Sequence, residues 1–310
     1  MAKIGLLAAP VTPFKESNMA VDEEAFRALA AKLLNSDSVD GIVPNAHAAE
    51  GATLTNEERR KCISLINEVN VHRKKVISCV VAESTTEAIK QAQDAKDLNC
   101  DAVMVCPPPI YAWTPDDAPE FTIEFHKQLA KEVGIPMVLF VYPEGNPYYY
   151  SPTTIRRILA EVPNFIAVKL TYKNAVAYQT AYHAIKSVNP EIAVMPTSPT
   201  MAFPLSCMGV VDGMLAGGAN FVADELKQIM ELCQAGDFIQ AKKIHERVFP
   251  LASALLAKPY VYLHSRYKYV AYLTGAIPSP VVRAPQLEVS TADQQKLREA
   301  ALTAGLMVVR

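Results

Sequence analysis

The stretch Pro163-Asn164-Phe165-Ile166-Ala167-Val168-Lys169 opens on two turn-forming residues, runs through four apolar ones and closes on a lysine. An apolar run this short, rich in branched and aromatic residues, reads as a strand covered on both faces, the mark of a parallel sheet. Runs of the same kind recur at 4–9, 41–45, 76–81, 102–106, 137–142, 193–196 and 213–215. Between them lie amphipathic segments that begin near Asp22, Asn56, Thr85, Asp116, Ser151, Asn174, Thr200 and Asp224. Ser151-Pro152 supplies a cap followed by proline in the first helical position, and Thr55-Asn56-Glu57-Glu58 puts acids in a first turn. Strand and helix alternating eight times predict an α/β fold, a (β/α)8 TIM barrel. After Gly236 the pattern is helical only, at 238–257, 259–273 and 292–304, with a proline-rich connection at 277–285. The expected division is a catalytic barrel over residues 1–235 and a C-terminal helical extension over 236–310.

Composition narrows the classes of function. Of 310 residues half are hydrophobic and 20% are charged, with a formal net charge of -2, so the chain can bury a large core. Its 30 Lys and Arg are dispersed, leaving no basic footprint for nucleic acid. No apolar stretch is long enough to span a membrane, and the first residues lack the pattern of a secretory signal, which predicts a cytoplasmic protein. The six cysteines show no Cys-x-x-Cys pair and sit mostly among apolar residues, so they read as reduced core thiols.

In such a barrel the chemistry gathers where strands end at their carboxyl edge. The candidates there are Thr12, residues 45–50, 107–111, 140–143 and 169–171, and the segment from Gly213 through Leu215 to Asn220. Lys169 is the most reactive type among them. A lysine held in an apolar mouth loses part of its preference for the ammonium form, and the free amine can attack a ketone. The resulting iminium withdraws electrons from the neighbouring carbon, so bonds to that carbon can be made or broken with neither metal nor organic cofactor. The six histidines show no His-x-His or His-Glu-x-x-His spacing, and no dinucleotide or P-loop fingerprint is present.

Taken together, these strand ends resemble the dihydrodipicolinate synthase and N-acetylneuraminate lyase family over nearly the whole chain. The resemblance is carried by residues 5–14 ending in Thr12-Pro13-Phe14, by Asp40-Gly41-Ile42-Val43 with Glu50-Gly51-Ala52-Thr53-Leu54-Thr55, and by residues 163–169. Residues 209–215 with Asn220, Ala235-Gly236-Asp237 with Ala241, and Val282-Arg283-Ala284-Pro285 extend it to the helical tail. It implies a class I aldolase barrel in which Lys169 forms the imine with pyruvate or a longer 2-oxo acid, assembled as a homodimer or homotetramer. The substrate carboxylate would rest on backbone amides around Ala48 and Ala49, with Thr12, Phe140, Thr171 and Leu215 shaping the pocket.

The departures from the family pattern fall on its proton relay. Where the family has Gly-Thr-Thr-Gly-Glu, this chain has Ala46-His47-Ala48-Ala49-Glu50, so a hydroxyl is missing at Ala48 and two positions favouring positive φ become alanine. Phe140 replaces the family's phenol, and gapless pairing puts Ile110 at a third relay position unless Tyr111 takes its place. The substitutes are His47, which titrates near neutrality, and Tyr142, two residues beyond Phe140 on the same side of the strand. Gly145 stands where synthases of the family carry an arginine for the aldehyde's carboxylate, which speaks against dihydrodipicolinate synthesis itself. The expected activity is carbon-carbon bond cleavage or formation through the Lys169 imine. Dehydration or hydration of a 2-oxo-3-deoxy sugar acid by the same imine is the alternative, and a non-catalytic 2-oxo acid binder of the same fold is the reading outside enzymology.

Overall fold

The computed structural model describes residues 5–109 and 116–310. Ile110 and Tyr111 lie outside the described residues. Eight strands form one parallel sheet: β1 Gly5–Ala8, β2 Gly41–Ile42, β3 Lys75–Val80, β4 Ala102–Val105, β5 Met137–Val141, β6 Phe165–Leu170, β7 Ala193–Pro196 and β8 Gly213–Ala216. Their order, β7-β6-β5-β4-β3-β2-β1-β8, brings the last strand beside the first. The remaining seam, between β7 and β8, is stitched by Asp212, whose N–H donates to Val194 O (3.1 Å) while its carboxylate accepts from Val194 N (2.8 Å). The (β/α)8 TIM barrel expected from the alternation is therefore the fold.

Apart from Gly5, Lys75 and Ile166, every strand residue is buried, which explains why the sequence shows runs rather than alternation. Two apolar clusters divide the side chains. One face, including Val103, Leu139, Val168 and Val194, packs outward under the helices. The other fills the barrel interior with Leu7, Ile77, Cys79, Met104, Phe140 and Leu215. Each fully buried aliphatic or aromatic side chain contributes about 1.5–3 kcal/mol relative to exposure, so the doubled face is the main source of stability.

Ile166 is the exception that sets the phase of β6. Met137 pairs with Phe165 but Val138 pairs with Ala167, so Ile166 bulges out of the ladder and is exposed. Phe165 consequently belongs to the outer cluster while Ala167 belongs to the interior. Two residues on, Lys169 is in register with Phe140 of β5.

The helices around the barrel are α1 Glu23–Leu34, α2 Asn56–Val69, α3 Thr85–Asp97, α4 Pro119–Val133, α5 Pro152–Glu161, α6 Ala175–Val188, α7 Ala202–Cys207 and α8 Ala219–Gln234. Ser151 caps α5 by accepting from Thr154 N ahead of Pro152, and Thr55 with Glu58 forms a capping box on α2. Two starts differ from expectation. Helix α4 begins at Pro119 because the Asp116 carboxylate instead accepts from Ser151 N (3.0 Å), and α8 begins at Ala219, five residues before Asp224. The expected strand 41–45 stops at Ile42, since Asn45 turns left-handed (φ 60°) to enter the next loop.

Beyond the barrel, α9 Phe238–Leu255, α10 Leu263–Leu273 and α11 Thr291–Thr303 form the helical extension. Helix α9 packs on α8, α11 on α9, and α10 reaches the His47–Ala49 turn at the barrel mouth. Arg283 pins the segment after α10: its guanidinium donates to Thr53 O (2.8 Å), Met19 O and the Glu58 carboxylate, and lies 4.2 Å from the Phe14 ring centroid. All six cysteines are free. Among the described residues no helix is long and apolar enough to cross a membrane.

Candidate active site

Lys169 enters the barrel interior from the carboxyl half of β6 and keeps only 5% of its surface exposed. Its Nζ sits 4.5 Å from the centroid of the Phe140 ring. Burial lowers its pKa from the usual lysine value, an effect opposed by the nearby thiols Cys79 and Cys106. Those two sulfurs, one from β3 and one just past the end of β4, are 3.6 Å apart. Their contact and their burial hold Cys106 well above the ordinary thiol range. The amine thus faces an aromatic ring and a pair of interacting thiols, of which Cys79 is held below the ordinary thiol range by its contact with Cys106, and among the described residues no carboxylate pairs with it.

The loop after β2 carries His47, Ala48 and Ala49 in one 3-10 turn. Positive φ falls on the flanking residues Asn45 (60°) and Glu50 (57°), so alanine at positions 46 and 49 is accommodated without left-handed backbone. Gly51 closes the loop, since a Cβ there would lie 1.9 Å from Asn45 O. Of the two amides expected to receive a carboxylate, Ala49 N–H already donates to Ala46 O (3.0 Å). Ala48 N–H has no acceptor among the described residues. Gly217 lets Ala48 approach the loop after β8, where a Cβ would stand 3.0 Å from that of Ala48.

The other expected residues divide between wall and scaffold. Thr12 donates its hydroxyl to Ala49 O (2.7 Å), tying the end of β1 to the loop, and Thr171 donates to Val141 O (2.7 Å). Both hydroxyls are engaged with backbone. Leu215 and Phe140 are buried in the interior cluster beside Cys79 and Cys106. Tyr142 packs on Phe140 with ring centroids 4.7 Å apart, against Tyr148 at 5.5 Å, and edge-on to His47 at 6.4 Å. Burial pushes its phenol above the ordinary tyrosine value, so it holds its proton at every physiological pH. Asn220 bridges Ala9 O (2.7 Å) and Gly217 O (2.6 Å) and so joins the first and last strand ends.

His47 is exposed at the barrel mouth, with Tyr142 and His264 against its ring. Withdrawal from bulk solvent, then the nearby His264 and Lys169, lower its pKa and leave the imidazole neutral at pH 7. Its Nδ1 meets Nε2 of His264 at 3.2 Å, with the ring planes 18° apart. Sequence reasoning missed His264. It stands on the extension, 217 residues from His47, and no local spacing announces a pair separated by that much chain. Sequence reasoning also missed what lies behind it. The Glu50 carboxylate, fully buried, forms an ion pair with Lys268 (2.5 Å) through one oxygen and accepts from Gln286 Nε2 (2.7 Å) on the other. Lys268 further donates to Val281 O (2.9 Å) and covers the Phe14 ring at 3.6 Å. Among the described residues no three His, Cys, Asp or Glu side chains gather as a metal-binding group.

Other openings lie away from Lys169. A cavity of about 570 Å3 lies at the amino end of the strands, lined by Gly5, Asp40, Asp212 and Lys227. Asp40 pairs there with Lys227 (3.2 Å) and Asp212 with Lys186 of α6 (2.8 Å), and Glu231, Cys207 and Cys233 complete the lining.

A (β/α)8 barrel with a buried lysine and a carboxyl-end loop of short side chains defines the class: a barrel protein whose reactive groups converge at the mouth. The chain belongs to the dihydrodipicolinate synthetase family, whose model matches residues 2–304. It is 29% identical to the 4-hydroxy-tetrahydrodipicolinate synthase of Syntrophobacter fumaroxidans over 98% of this chain and 99% of that protein. To the synthase of that name from Brucella suis it is 28% identical, over 98% and 99%. The crystal structure of dihydrodipicolinate synthase from Aquifex aeolicus superposes with a TM-score of 0.87 at 25% identity, covering 99% of each chain. YagE of Escherichia coli K12, a prophage protein of the dihydrodipicolinic acid synthase family solved in complex with pyruvate, gives 0.85 at 21% identity over 99% and 100%. At that identity the likeness to YagE is one of fold.

Proposed function

We propose that this protein is a lyase that forms an imine between Lys169 and the ketone of pyruvate or a longer 2-oxo acid, and makes or cleaves a carbon-carbon bond at the adjacent carbon. The observation that carries the reading is the lysine itself, buried at the carboxyl half of β6 with a lowered pKa and, among the described residues, no carboxylate partner. Its amine adds to the ketone carbon, and the carbinolamine expels water as the iminium forms. Loss of a proton from the next carbon gives an enamine, which attacks an aldehyde; the reverse sequence releases one. Neither step needs a metal or an organic cofactor.

The substrate carboxylate rests against the His47–Ala49 turn, where Ala48 N–H is open. Phe140, Leu215 and Tyr142 form the apolar wall behind the reacting carbon, with Thr12 and Thr171 holding loop and strand in place. His47 or Tyr142 moves the proton, and of the two the neutral imidazole is the better acceptor. The partner aldehyde differs from that of the synthases named above. Gly145 has a positive φ of 79° and offers no cation where the family grips the aldehyde's carboxylate.

Incubation with pyruvate and borohydride, followed by peptide mass spectrometry, tests the covalent step. The expected adduct is on Lys169, and Lys169→Ala removes both the adduct and turnover, the latter by roughly 10⁴-fold or more. An adduct on another residue, or turnover that survives the substitution, ends the proposal. Product analysis with a panel of 2-oxo acids separates aldol cleavage, which yields pyruvate and an aldehyde, from dehydration, which yields water and a 2-oxo acid of unchanged carbon number.

A further inference from the structure

The family pattern of hydroxyls is interrupted at Ala48 and Phe140, and the structure lines up another set of polar groups from the extension to the barrel mouth. Lys268 and Gln286 both meet Glu50, and His264 meets His47; between the two groups stand Gln286 Oε1 and His264 Nδ1, each buried and without a hydrogen-bond partner. The hydrogen positions follow from donor and acceptor inventory. The Glu50 carboxylate only accepts, so Gln286 must present Nε2 to it and keep Oε1 for another donor. Gln286 Oε1 and His264 Nδ1 are the two buried polar atoms left without a hydrogen-bond partner there, and the Gln286 side chain acts to raise the pKa of His264, so we assign them to each other as acceptor and N–H donor. His264 therefore carries its proton on Nδ1 and accepts on Nε2. The hydrogen bond to His47 then has one polarity, His47 Nδ1–H donating to His264 Nε2, and the lone pair of His47 is left on Nε2.

Resting on the imine reading above, we infer that His264 is a positioning residue that fixes the tautomer and plane of His47, so that His47 Nε2 takes and returns the proton on the carbon beside the imine. The step balances without a further reagent. In the forward direction the carbon–hydrogen bond next to the iminium breaks, its electron pair forms the enamine double bond, and the proton goes to Nε2. As the enamine attacks an aldehyde, the imidazolium proton passes to the aldehyde oxygen while the iminium is restored. The charge that appears on His47 is stabilised through its Nδ1–H by the His264 acceptor, which is held by the Gln286–Glu50–Lys268 chain. The arrangement parallels the way a buried carboxylate orients a catalytic histidine, with a neutral imidazole in the orienting role.

Exchange of the pyruvate methyl hydrogens in D2O, followed by proton NMR, reads this proton transfer without knowledge of the partner aldehyde. Borohydride trapping on the same samples reads the imine. In His264→Ala the adduct on Lys169 and the KM for pyruvate are expected to stay at wild-type levels while kcat for exchange falls about 10²-fold. Added imidazole restores part of the rate, His264→Asn retains more exchange than alanine, and Gln286→Leu falls in the same direction. Wild-type exchange in His264→Ala and Gln286→Leu overturns the inference, as does a loss of trapping in parallel with exchange, which marks a merely structural role. A wild-type protein that traps pyruvate but does not exchange its methyl hydrogens overturns it too. A wild-type protein that traps no pyruvate fails the imine reading instead, and the two failures are distinct.

Discussion

Phe140 is the side chain on which this site turns. It removes the phenol that the family pattern places beside the lysine, and its ring face approaches Nζ at 4.5 Å. An aromatic face favours a cation by roughly 0.5–1 kcal/mol or more when desolvated, so it works against the burial that lowers the Lys169 pKa. Phe140→Leu removes that opposition while keeping the site apolar. The free-amine fraction grows as pH rises through the lysine's pKa, so the pH profile of borohydride trapping is expected to move down by about 0.5 pH unit. A profile that stays or moves upward would show that the ring does not stabilise the ammonium. Lys169 was legible in the sequence because a cation ending an apolar run is a local contradiction that calls for a reason. His264 was not, for a histidine in the first turn of an ordinary amphipathic helix contradicts nothing, and its partner lies on another part of the chain.

At the scale of elements, the runs of apolar residues located all eight strands, and the caps at Ser151 and Thr55 located the helices that follow them. Which face of each strand looks inward was hidden by the same property, because a strand buried on both sides has no alternation to read. The bulge at Ile166, which sets the inward phase of Ala167 and Lys169, leaves no mark in a run of Phe, Ile, Ala and Val. The loop after β2 shows the opposite case. Alanine at 46 and 49 suggested a changed loop, yet the left-handed residues are Asn45 and Glu50, and the strict requirement is at Gly51. Gly51→Ala forces a methyl group into the Asn45 carbonyl, so thermal unfolding should show a loss of about 1–3 kcal/mol. The displaced turn carries Ala48, so the KM for pyruvate should rise with it. An unchanged melting temperature together with an unchanged KM would mean that this loop is neither tight nor part of the carboxylate site.

For the molecule as a whole, the extension is bonded to the candidate site rather than hanging free of it. Helix α10 supplies His264 and Lys268, and the segment after it supplies Gln286 and Arg283, all bonded to residues of the barrel mouth. The stability of the assembly should in turn carry a titration that lies outside the site. His126 on α4 is fully buried among Phe125, Tyr150 and Phe165, with Nδ1 2.8 Å from Thr122 O. Burial lowers its pKa to about 4, against 6.5 for a free imidazole, although the Thr122 carbonyl opposes the shift. The unfolded chain therefore binds a proton at this residue below pH 6.5 that the folded chain refuses until about pH 4. Protons favour the unfolded state throughout that window, so stability is held above pH 6.5 and lost as pH falls toward 4, by about 3 kcal/mol from this group alone. His126→Gln removes the titration, and denaturant unfolding of the two proteins across pH 7 to 4 should show a shallower decline for the variant. Parallel declines would mean that the imidazole accepts its proton inside the fold, and that the packing of α4 against β5 and β6 opens far more readily than its burial implies.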